Sequence, residues 1–456
     1  MVFTSLRPHD GSFKAKRALG FFVVSVLYSL VFFHRVNPSI VADDMSADYN
    51  VSKASLSIFS SMYFYPYAVI QPFAGLLSDV MEPAYLIGVA HIVTSIGSSL
   101  CGYSDSFFGG CIGRFLVGLG CGPTYVPISR FFANWFSLEY YSILTGVILA
   151  VGGLGGVIAQ VFLPKINKII GWRNSFYLFG GVDLLFSFLC LLLVNGNPVT
   201  IGYNPVNEDL NEDVSKMPIS EKLDSLSKNF FSVIKLFHFW VVVVVVVLVA
   251  GPFFNAAGMW LGPYLKDVHN YGDEKAGSCQ MYTSIGMILG SLILPYFSNK
   301  IKTRKYVMIG NSIIGLTSSL IMFKFGKDLS TSLMKIVLTV FGFSTNPIAS
   351  VAYPLIREYY HPSVAATAVG CINFFTFLSS AFYQTITGYI LKSYGTIPGT
   401  KKYIENGYKY GLWMLSSISI FMSIIVNFIV KDSDTLNKEY QSLEPEKEEF
   451  EDNEFK

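Results

Sequence analysis

The chain contains twelve apolar stretches, most of them at least about 20 residues long, which is the length an α-helix needs to cross the hydrocarbon layer of a membrane. Only helices and closed β-barrels cross that layer with every backbone polar group bonded. The stretches are too long and too uniformly apolar for the alternating pattern of barrel strands. The sequence therefore predicts an all-α membrane protein whose main partner is the lipid bilayer.

One long polar connection divides the twelve predicted helices into two groups of six, while the other connections are short. The predicted spans are residues 18–41, 55–78, 84–103, 107–133, 143–163, 175–194, 237–264, 277–297, 305–325, 332–354, 365–391 and 411–430. The predicted organisation is a cytosolic N-tail at 1–17, a six-helix bundle at 18–194, a cytosolic linker at 195–236, a second six-helix bundle at 237–430 and an acidic cytosolic tail at 431–456.

Basic residues near the span ends set the predicted orientation. Arg7, Lys14, Lys16 and Arg17 precede the first span, and Lys300, Lys302, Arg304 and Lys305 follow the eighth. Both groups lie on the same side of a twelve-span protein, which places both termini in the cytosol. Two smaller basic groups fall on the outer side, at residues 165–173 and 401–409.

Composition excludes several classes of function. Charged residues make up 14% of the chain, against about 25% in soluble domains. The net charge of +2 offers no general attraction to nucleic acid. The six cysteines form no Cys-x-x-Cys pair, and we find no metal-ligand cluster, nucleophile elbow or phosphate loop. We therefore expect no metal, no cofactor and no enzymatic activity.

A buried arginine opens the most informative motif. Arg114 begins Arg-x-x-x-Gly-x-Gly-x-Gly-Pro, in which Gly118 and Gly122 allow close approach of helix backbones. An arginine at depth costs roughly 2.5 kcal/mol or more, so Arg114 should face protein or a cavity. We predict a structural or gating role for these three residues.

The Arg114 motif belongs to a larger pattern. The strings GLLSD at 75–79, GGLGG at 152–156 and GWR at 171–173 stand at matching places around it. Together they resemble the major facilitator superfamily, and the resemblance extends over about residues 18–430. It implies two pseudo-symmetric six-helix bundles, a solute site near the membrane midplane and alternating access.

The loop after the second span departs from the family pattern. Asp79 is followed by Val80-Met81-Glu82-Pro83, where the family usually has basic residues that close the cytosolic gate. The equivalent loop after the eighth span is basic, but it has Asn299 in place of the acid. We expect Asp79 either to pair differently or to form a weaker inward gate.

Arg35, in the outer part of the first span, is the main candidate for solute binding. A guanidinium facing a wet cavity is a bidentate receptor for carboxylate or phosphate. The alternative is that Arg35 reaches the outer interface or pairs with Asp43 or Asp44. The string resembles organophosphate:phosphate antiporters and anion:cation symporters, which have a first-span arginine near an asparagine, here Asn37. Those antiporters have a second arginine in span seven, but residues 251–260 contain none, which favours a monocarboxylate or zwitterion over a phosphate ester.

Further candidates for solute contact are polar or aromatic residues within spans, although each such residue alone more often bonds helices together than contacts a ligand. Two of them, Tyr63 and Tyr67, share a face of span two with Gln71. The remaining candidates are Asn255, Trp260, Tyr264, Tyr282 and Asn373.

Coupling to protons needs an ionisable group inside the bundle. Asp183 in span six is the clearest buried acid, and His34 is an alternative that titrates near neutral pH. His91 has a weaker claim. Because span four contains no acid, facilitated diffusion or exchange is the leading prediction, with proton coupling as the alternative.

The sequence thus predicts a secondary transporter of a small organic solute, with an anionic or carboxylate-bearing metabolite anchored at Arg35 as the leading prediction. A dipeptide or sugar-phosphate carrier of the same fold is an alternative, as is a transporter-like receptor without flux. Tyr440-Gln441-Ser442-Leu443 fits a tyrosine-based sorting pattern and predicts an adaptor as a partner. The expected location is the plasma membrane or an endolysosomal membrane.

Overall fold

The computed structural model describes residues 7–137, 140–207, 219–360 and 362–433, and helices dominate all four ranges. The helices of the first half are α1 Gly11–Asp48, α2 Lys53–Val80, α3 Pro83–Tyr103, α4 Phe107–Cys121, α5 Tyr125–Trp135 and α6 Tyr141–Leu193. Helix α7, Ile219–Lys235, belongs to the linker. The second half contains α8 Phe237–Asn255, α9 Leu261–His269, α10 Asp273–Ile301, α11 Lys305–Phe325, α12 Thr331–Ser344, α13 Ala349–Glu358, α14 Pro362–Tyr394, α15 Glu405–Tyr408 and α16 Leu415–Asn427.

Helix α6 supplies two spans. Its 53 residues would extend about 80 Å as one straight helix, more than twice the hydrocarbon layer. Gly171 interrupts it with φ 79° and ψ 160°, a backbone conformation that is essentially restricted to glycine. The fifth and sixth predicted spans therefore meet at Gly171.

Several spans are broken within their length. Helices α4 and α5 meet near Gly122 and Pro123, and a 3₁₀ turn at Asn346–Ile348 joins α12 to α13. A π-helical segment, Ala256–Trp260, joins α8 to α9. Eight helical segments of the described residues are long and apolar enough to cross a membrane, and one of these is the double-length α6. When α6 is counted as two spans, these eight segments supply nine. Helix α2, the α4–α5 pair and α14 bring the number to twelve among the described residues, as the sequence predicts.

Glycines permit the closest helix packing within the first half. A Cβ on Gly118 would lie 2.0 Å from the carbonyl oxygen of Tyr63, and one on Gly155 would lie 2.0 Å from that of Ser29. Helix α4 therefore packs directly on the backbone of α2, and α6 on that of α1. These two contacts fix the positions of α1 and α2, which carry the candidate site, within the first half.

The two halves meet along three main contacts. Helix α2 packs on α14, α6 packs on α10, and α1 packs on α9 and the π-helical segment. Close to the C-terminal end of the described residues, the Asp432 carboxylate accepts hydrogen bonds from the backbone N–H groups of Arg304 and Lys305, 2.7 and 3.1 Å away. The predicted sorting residue Tyr440 and most of the acidic tail lie outside the described residues.

Candidate functional site

Arg35 lies between the two halves, with 3% of its surface exposed. Its guanidinium carbon is surrounded by five aromatic rings, which we call the aromatic box. The distances to the ring centres are 4.5 Å for Phe32, 5.8 Å for Tyr63, 5.0 Å for Tyr67, 5.1 Å for Phe254 and 5.0 Å for Phe377. Phe254 and Phe377 come from the second half, so Arg35 bridges the interface at which alternating access would occur.

The positive charge of Arg35 is not paired with a carboxylate in the part of the chain that the structure describes. Among the same residues its Nε has no hydrogen-bond partner. The alternative pairing with Asp43 does not occur, because Asp43 binds Lys53 and Lys266 instead. Cation–π contacts stabilise a desolvated guanidinium by about 2 kcal/mol, but a buried charge still favours an anionic partner.

Part of the aromatic box follows from the periodicity of helix α2. Tyr63 and Tyr67 lie one turn apart on α2, and their rings stack with centres 5.5 Å apart. Phe254 stands in the stretch where the related antiporters have their second arginine, and its ring lies against Arg35. The stretch 251–260, which contains no arginine, thus presents an aromatic ring to Arg35.

The other predicted solute contacts lie elsewhere, mostly in bonds between helices. Gln71 donates to the Gly122 carbonyl at 3.0 Å, and Asn255 donates to Thr387 Oγ1 at 2.9 Å. The Trp260 indole donates to the Gln384 carbonyl at 2.9 Å. The structure thus brings Tyr63 and Tyr67 to Arg35, while these three side chains connect spans.

Four further candidates also lie outside the aromatic box. Tyr264 packs on Trp413, with ring centres 5.5 Å apart. The ring centre of Tyr282 lies 5.3 Å from the Nζ atom of Lys335. Asn373 accepts a hydrogen bond from Tyr353. Asn37 is buried, and neither atom of its amide has a hydrogen-bond partner within the described residues.

Arg114 connects the aromatic box to the middle of the first half. It is fully buried, its Nη1 donates to the carbonyl of His34 at 2.7 Å, and its guanidinium lies 4.7 Å from the Tyr63 ring centre. Tyr63 therefore lies between Arg114 and Arg35. The hydrogen bond to His34 fixes the backbone of α1 next to Arg35.

Three ionisable side chains form a buried cluster beside this contact, which we call the histidine–aspartate cluster. His34 Nε2 lies 2.6 Å from Asp183 Oδ2, and His91 Nδ1 lies 2.9 Å from Asp183 Oδ1. All three side chains are fully buried. The sequence indicated Asp183 and His34, but it gave His91 little weight because the three residues come from three different spans.

Ion pairs join the two halves at the end that the predicted orientation places outside the cell. Lys53 Nζ lies 2.5 Å from Asp43 and 2.7 Å from Asp267, and Lys266 Nζ lies 2.7 Å from Asp43 and 3.0 Å from Asp273. We call these five residues the outer ion-pair network. Two of its pairs, Lys53–Asp267 and Lys266–Asp43, cross between the halves. A cavity of about 450 Å³ lies beside it.

A surface pair on the second half provides a contrast. Lys327 lies 2.9 Å from Glu405, and both side chains are partly exposed. Its hydrogen bond to Glu405, together with the negative charge of that carboxylate, raises the pKa of Lys327. Unlike the outer ion-pair network, this pair connects two elements of the same half.

Comparison with known proteins agrees with this architecture. The sequence profile of the Major Facilitator Superfamily matches residues 18–382 and 276–452. The chain is 22% identical over 410 residues to a probable hexose phosphate transport protein of Chlamydia muridarum, covering 83% of this chain and 87% of that protein. It is 21% identical over 426 residues to a probable galactarate/D-glucarate transporter of Escherichia coli K12, covering 88% and 93%.

Solved structures show the same fold. A bacterial homologue of the human lysosomal transporter Spinster, in an inward-facing and unoccupied conformation, superposes with a TM-score of 0.72 at 16% identity. That superposition covers 93% of this chain and 98% of the homologue. The chain belongs to the Major Facilitator Superfamily and is an integral membrane protein with the fold of a secondary transporter.

Proposed function

We propose that the chain transports a small organic anion that binds to Arg35 within the aromatic box. The observation that carries this proposal is the uncompensated guanidinium at the interface of the two halves. An anion at Arg35 would supply the negatively charged hydrogen-bond acceptor that no described residue gives this guanidinium. Because elements of both halves surround the group, movement of the halves would expose it to either side in turn.

Two observations support a carboxylate as the group recognised. The relatives include a probable galactarate/D-glucarate transporter and a probable hexose phosphate transport protein, and both kinds of solute are anionic. The stretch 251–260, which contributes the Phe254 ring to the aromatic box, contains no arginine that could complete a phosphate clamp. A single guanidinium matches the two oxygens of one carboxylate.

Uptake into proteoliposomes tests the proposal. Radiolabelled D-glucarate and a hexose phosphate are the probes, and Arg35→Ala is the variant. Arg35→Ala removes charge-assisted hydrogen bonds that contribute about 1.5–3 kcal/mol. At a limiting solute concentration, uptake by this variant should therefore be roughly 10- to 100-fold slower. Arg35→Lys retains the charge without the planar fork and should recover only part of the rate.

The exposed Arg357 gives a matched control. Arg357→Ala should transport like the wild type, and unchanged uptake in Arg35→Ala would remove Arg35 from the solute site. A dipeptide that competes with either probe would favour the dipeptide carrier. Binding of a probe without accumulation would favour a receptor that does not transport.

We propose the proton as the coupling ion, with Asp183 and His34 as its candidate carriers. Ionisable residues inside spans commonly mark proton pathways, and both side chains are fully buried. An inward proton gradient should therefore drive accumulation of the probe above its outside concentration. Equal uptake with and without the gradient would leave facilitated diffusion or exchange.

Orientation and location complete the proposal. We place both termini in the cytosol and the protein in the plasma membrane or an endolysosomal membrane, with Tyr440 as the adaptor contact. Tags at either end should become accessible to antibodies only after permeabilisation. Tyr440→Ala should redistribute the protein between membranes, and an unchanged distribution would remove the sorting role.

A further inference from the structure

The cavity beside the outer ion-pair network is lined by both halves of the protein. Its volume of about 450 Å³ lies within the range of about 300–1,000 Å³ that is typical of small-molecule sites. Its charged lining residues are Asp43 and Lys53 from the first half, and Lys266, Asp267, Lys401 and Lys402 from the second half. A ligand in this cavity would therefore contact both halves at once.

Lysines outnumber aspartates in the wall of this cavity. Among the described residues, four lysines and two aspartates line it, which gives the wall a net charge of +2. Lys53 and Lys266 have carboxylate partners in the outer ion-pair network. Asp273 of that network is not a lining residue, and its side chain is 61% exposed, so solvent screens its charge. The excess positive charge therefore belongs to Lys401 and Lys402.

These two lysines have no carboxylate partner among the described residues. The ammonium of Lys402 donates to a neutral acceptor, Asn270 Oδ1, at 2.7 Å. Lys401 is exposed at the mouth of the cavity. An anion with two negative charges would balance both ammonium groups, whereas an anion with one charge would leave an excess.

The loop that carries both lysines, residues 395–404, is fixed against both halves. The backbone N–H of Tyr403 donates to Asp267 Oδ2 at 3.1 Å, and the Tyr403 hydroxyl accepts a hydrogen bond from the backbone N–H of Ala54 at 3.2 Å. Asp267 belongs to α9 and Ala54 to α2. A loop that is already ordered loses little conformational freedom when a ligand binds, which favours binding.

We propose that this cavity binds a small, doubly charged oxyanion, and that the bound anion holds the outer end closed. Lysines of both halves line the cavity, so separation of the halves would destroy the site. An anion that binds only the closed arrangement shifts the equilibrium toward that arrangement. None of the lining residues belongs to the aromatic box, so the site is separate from Arg35.

Thiol labelling tests the effect of the anion. An impermeant maleimide is added outside proteoliposomes that contain Ser39→Cys, whose side chain is buried against Gly262 of the second half until the outer end opens. Sulfate and succinate are the inorganic and organic probes, with chloride at the same ionic strength as the reference. At ten times the concentration that halves the rate, labelling should be about 11-fold slower. A response to either probe supports the site, whereas unchanged or faster labelling with both would overturn it.

A double variant locates the response. Lys401→Gln with Lys402→Gln should raise the concentration that halves the rate by about 2- to 30-fold, because solvent screens each exposed charge. Lys300→Gln with Lys302→Gln is the matched control, since it removes the same charge from two exposed lysines at the opposite end of the second half. This control should respond like the reference. An equal rise in both double variants, or no rise in either, would overturn the site.

Arg35→Ala keeps this proposal distinguishable from the transport proposal. Sulfate or succinate should slow labelling in Arg35→Ala as it does in the reference, because the lysines of the cavity are intact. Loss of the response in this variant would assign the anion to Arg35 and overturn the outer site. If neither D-glucarate nor the hexose phosphate is transported and the response persists, the transport proposal fails and the outer site stands.

Discussion

Removal of one buried charge should open the outer end of the protein. Asp267→Asn keeps the shape of the side chain, and its oxygen can still accept the hydrogen bond that Tyr408 donates at 2.7 Å. The substitution removes the ion pair to Lys53, which crosses between the halves at 2.7 Å. Lys53 and Asp267 are 3% and 5% exposed, so water screens this pair poorly.

The expected size of the effect follows from that burial. A hydrogen bond between charged groups contributes about 1.5–3 kcal/mol to the state that contains it. In an outward-open state the halves separate here and water replaces the pair. Loss of the pair should therefore shift the equilibrium toward the open state by roughly 10- to 100-fold.

Thiol labelling measures this shift. Ser39 is fully buried on α1, where its hydroxyl accepts a hydrogen bond from the backbone N–H of Gly262 at 3.1 Å. A Ser39→Cys thiol would meet an impermeant reagent added outside only when the outer end opens. The six native cysteines are all buried, which keeps background labelling low. Labelling should be roughly 10- to 100-fold faster when Asp267→Asn is also present.

The Lys327–Glu405 pair supplies the matched control. It lies at the surface of the second half, where solvent screens such pairs, and it does not cross the interface. Glu405→Gln should leave the labelling rate of Ser39→Cys within about twofold of the reference. Equal labelling rates in Asp267→Asn and Glu405→Gln would refute the claim that the ion pairs between the two halves hold the outer end closed.

Three smaller predictions concern stability, and fluorescence-detected thermal unfolding in detergent measures each. Gly118→Ala places a Cβ 2.0 Å from the Tyr63 carbonyl oxygen and should destabilise by about 1–3 kcal/mol, whereas Gly181→Ala, with open space around it, should not. Gly171→Ala forces a side chain into φ 79° and should cost about 1–3 kcal/mol. Asp432→Ala removes the acceptor for two N–H groups at the start of α11 and should cost about 0.5–2 kcal/mol. An unchanged melting temperature in any of these three variants would contradict the contact or the backbone conformation on which its prediction rests.

Hydrophobic length predicted the helices well where a span is straight. The sequence predicts the ninth span at 305–325, and α11 is Lys305–Phe325. It predicts the first span at 18–41, but α1 continues over Gly11–Asp48, because polar turns capped by Asp10 extend the helix beyond its apolar part. The break between α4 and α5 and the joining of two spans at Gly171 depend on local backbone geometry that hydropathy does not report.

Contacts within one helix were also predictable, whereas contacts across the chain were not. The spacing of Tyr63 and Tyr67 placed both on one face, and both contact Arg35. Phe254 and Phe377 meet the same guanidinium from the other half of the chain, more than two hundred residues away. Nothing in one sequence pairs such distant residues, and for the same reason Lys53 and Asp267 were not recognised as partners.

The π-helical segment Ala256–Trp260 has a geometric consequence for the seventh span. A π turn contains one residue more than an α turn, and each residue of an α-helix turns the chain by about 100°. If the same residues formed regular α turns instead, α9 would be rotated by roughly 100° relative to α8. Phe254 would keep its place against Arg35, while Lys266 and Asp267 would face away from Asp43 and Lys53. The wider π turn therefore sets the rotational phase between the part of this span that contacts Arg35 and the part that carries Lys266 and Asp267.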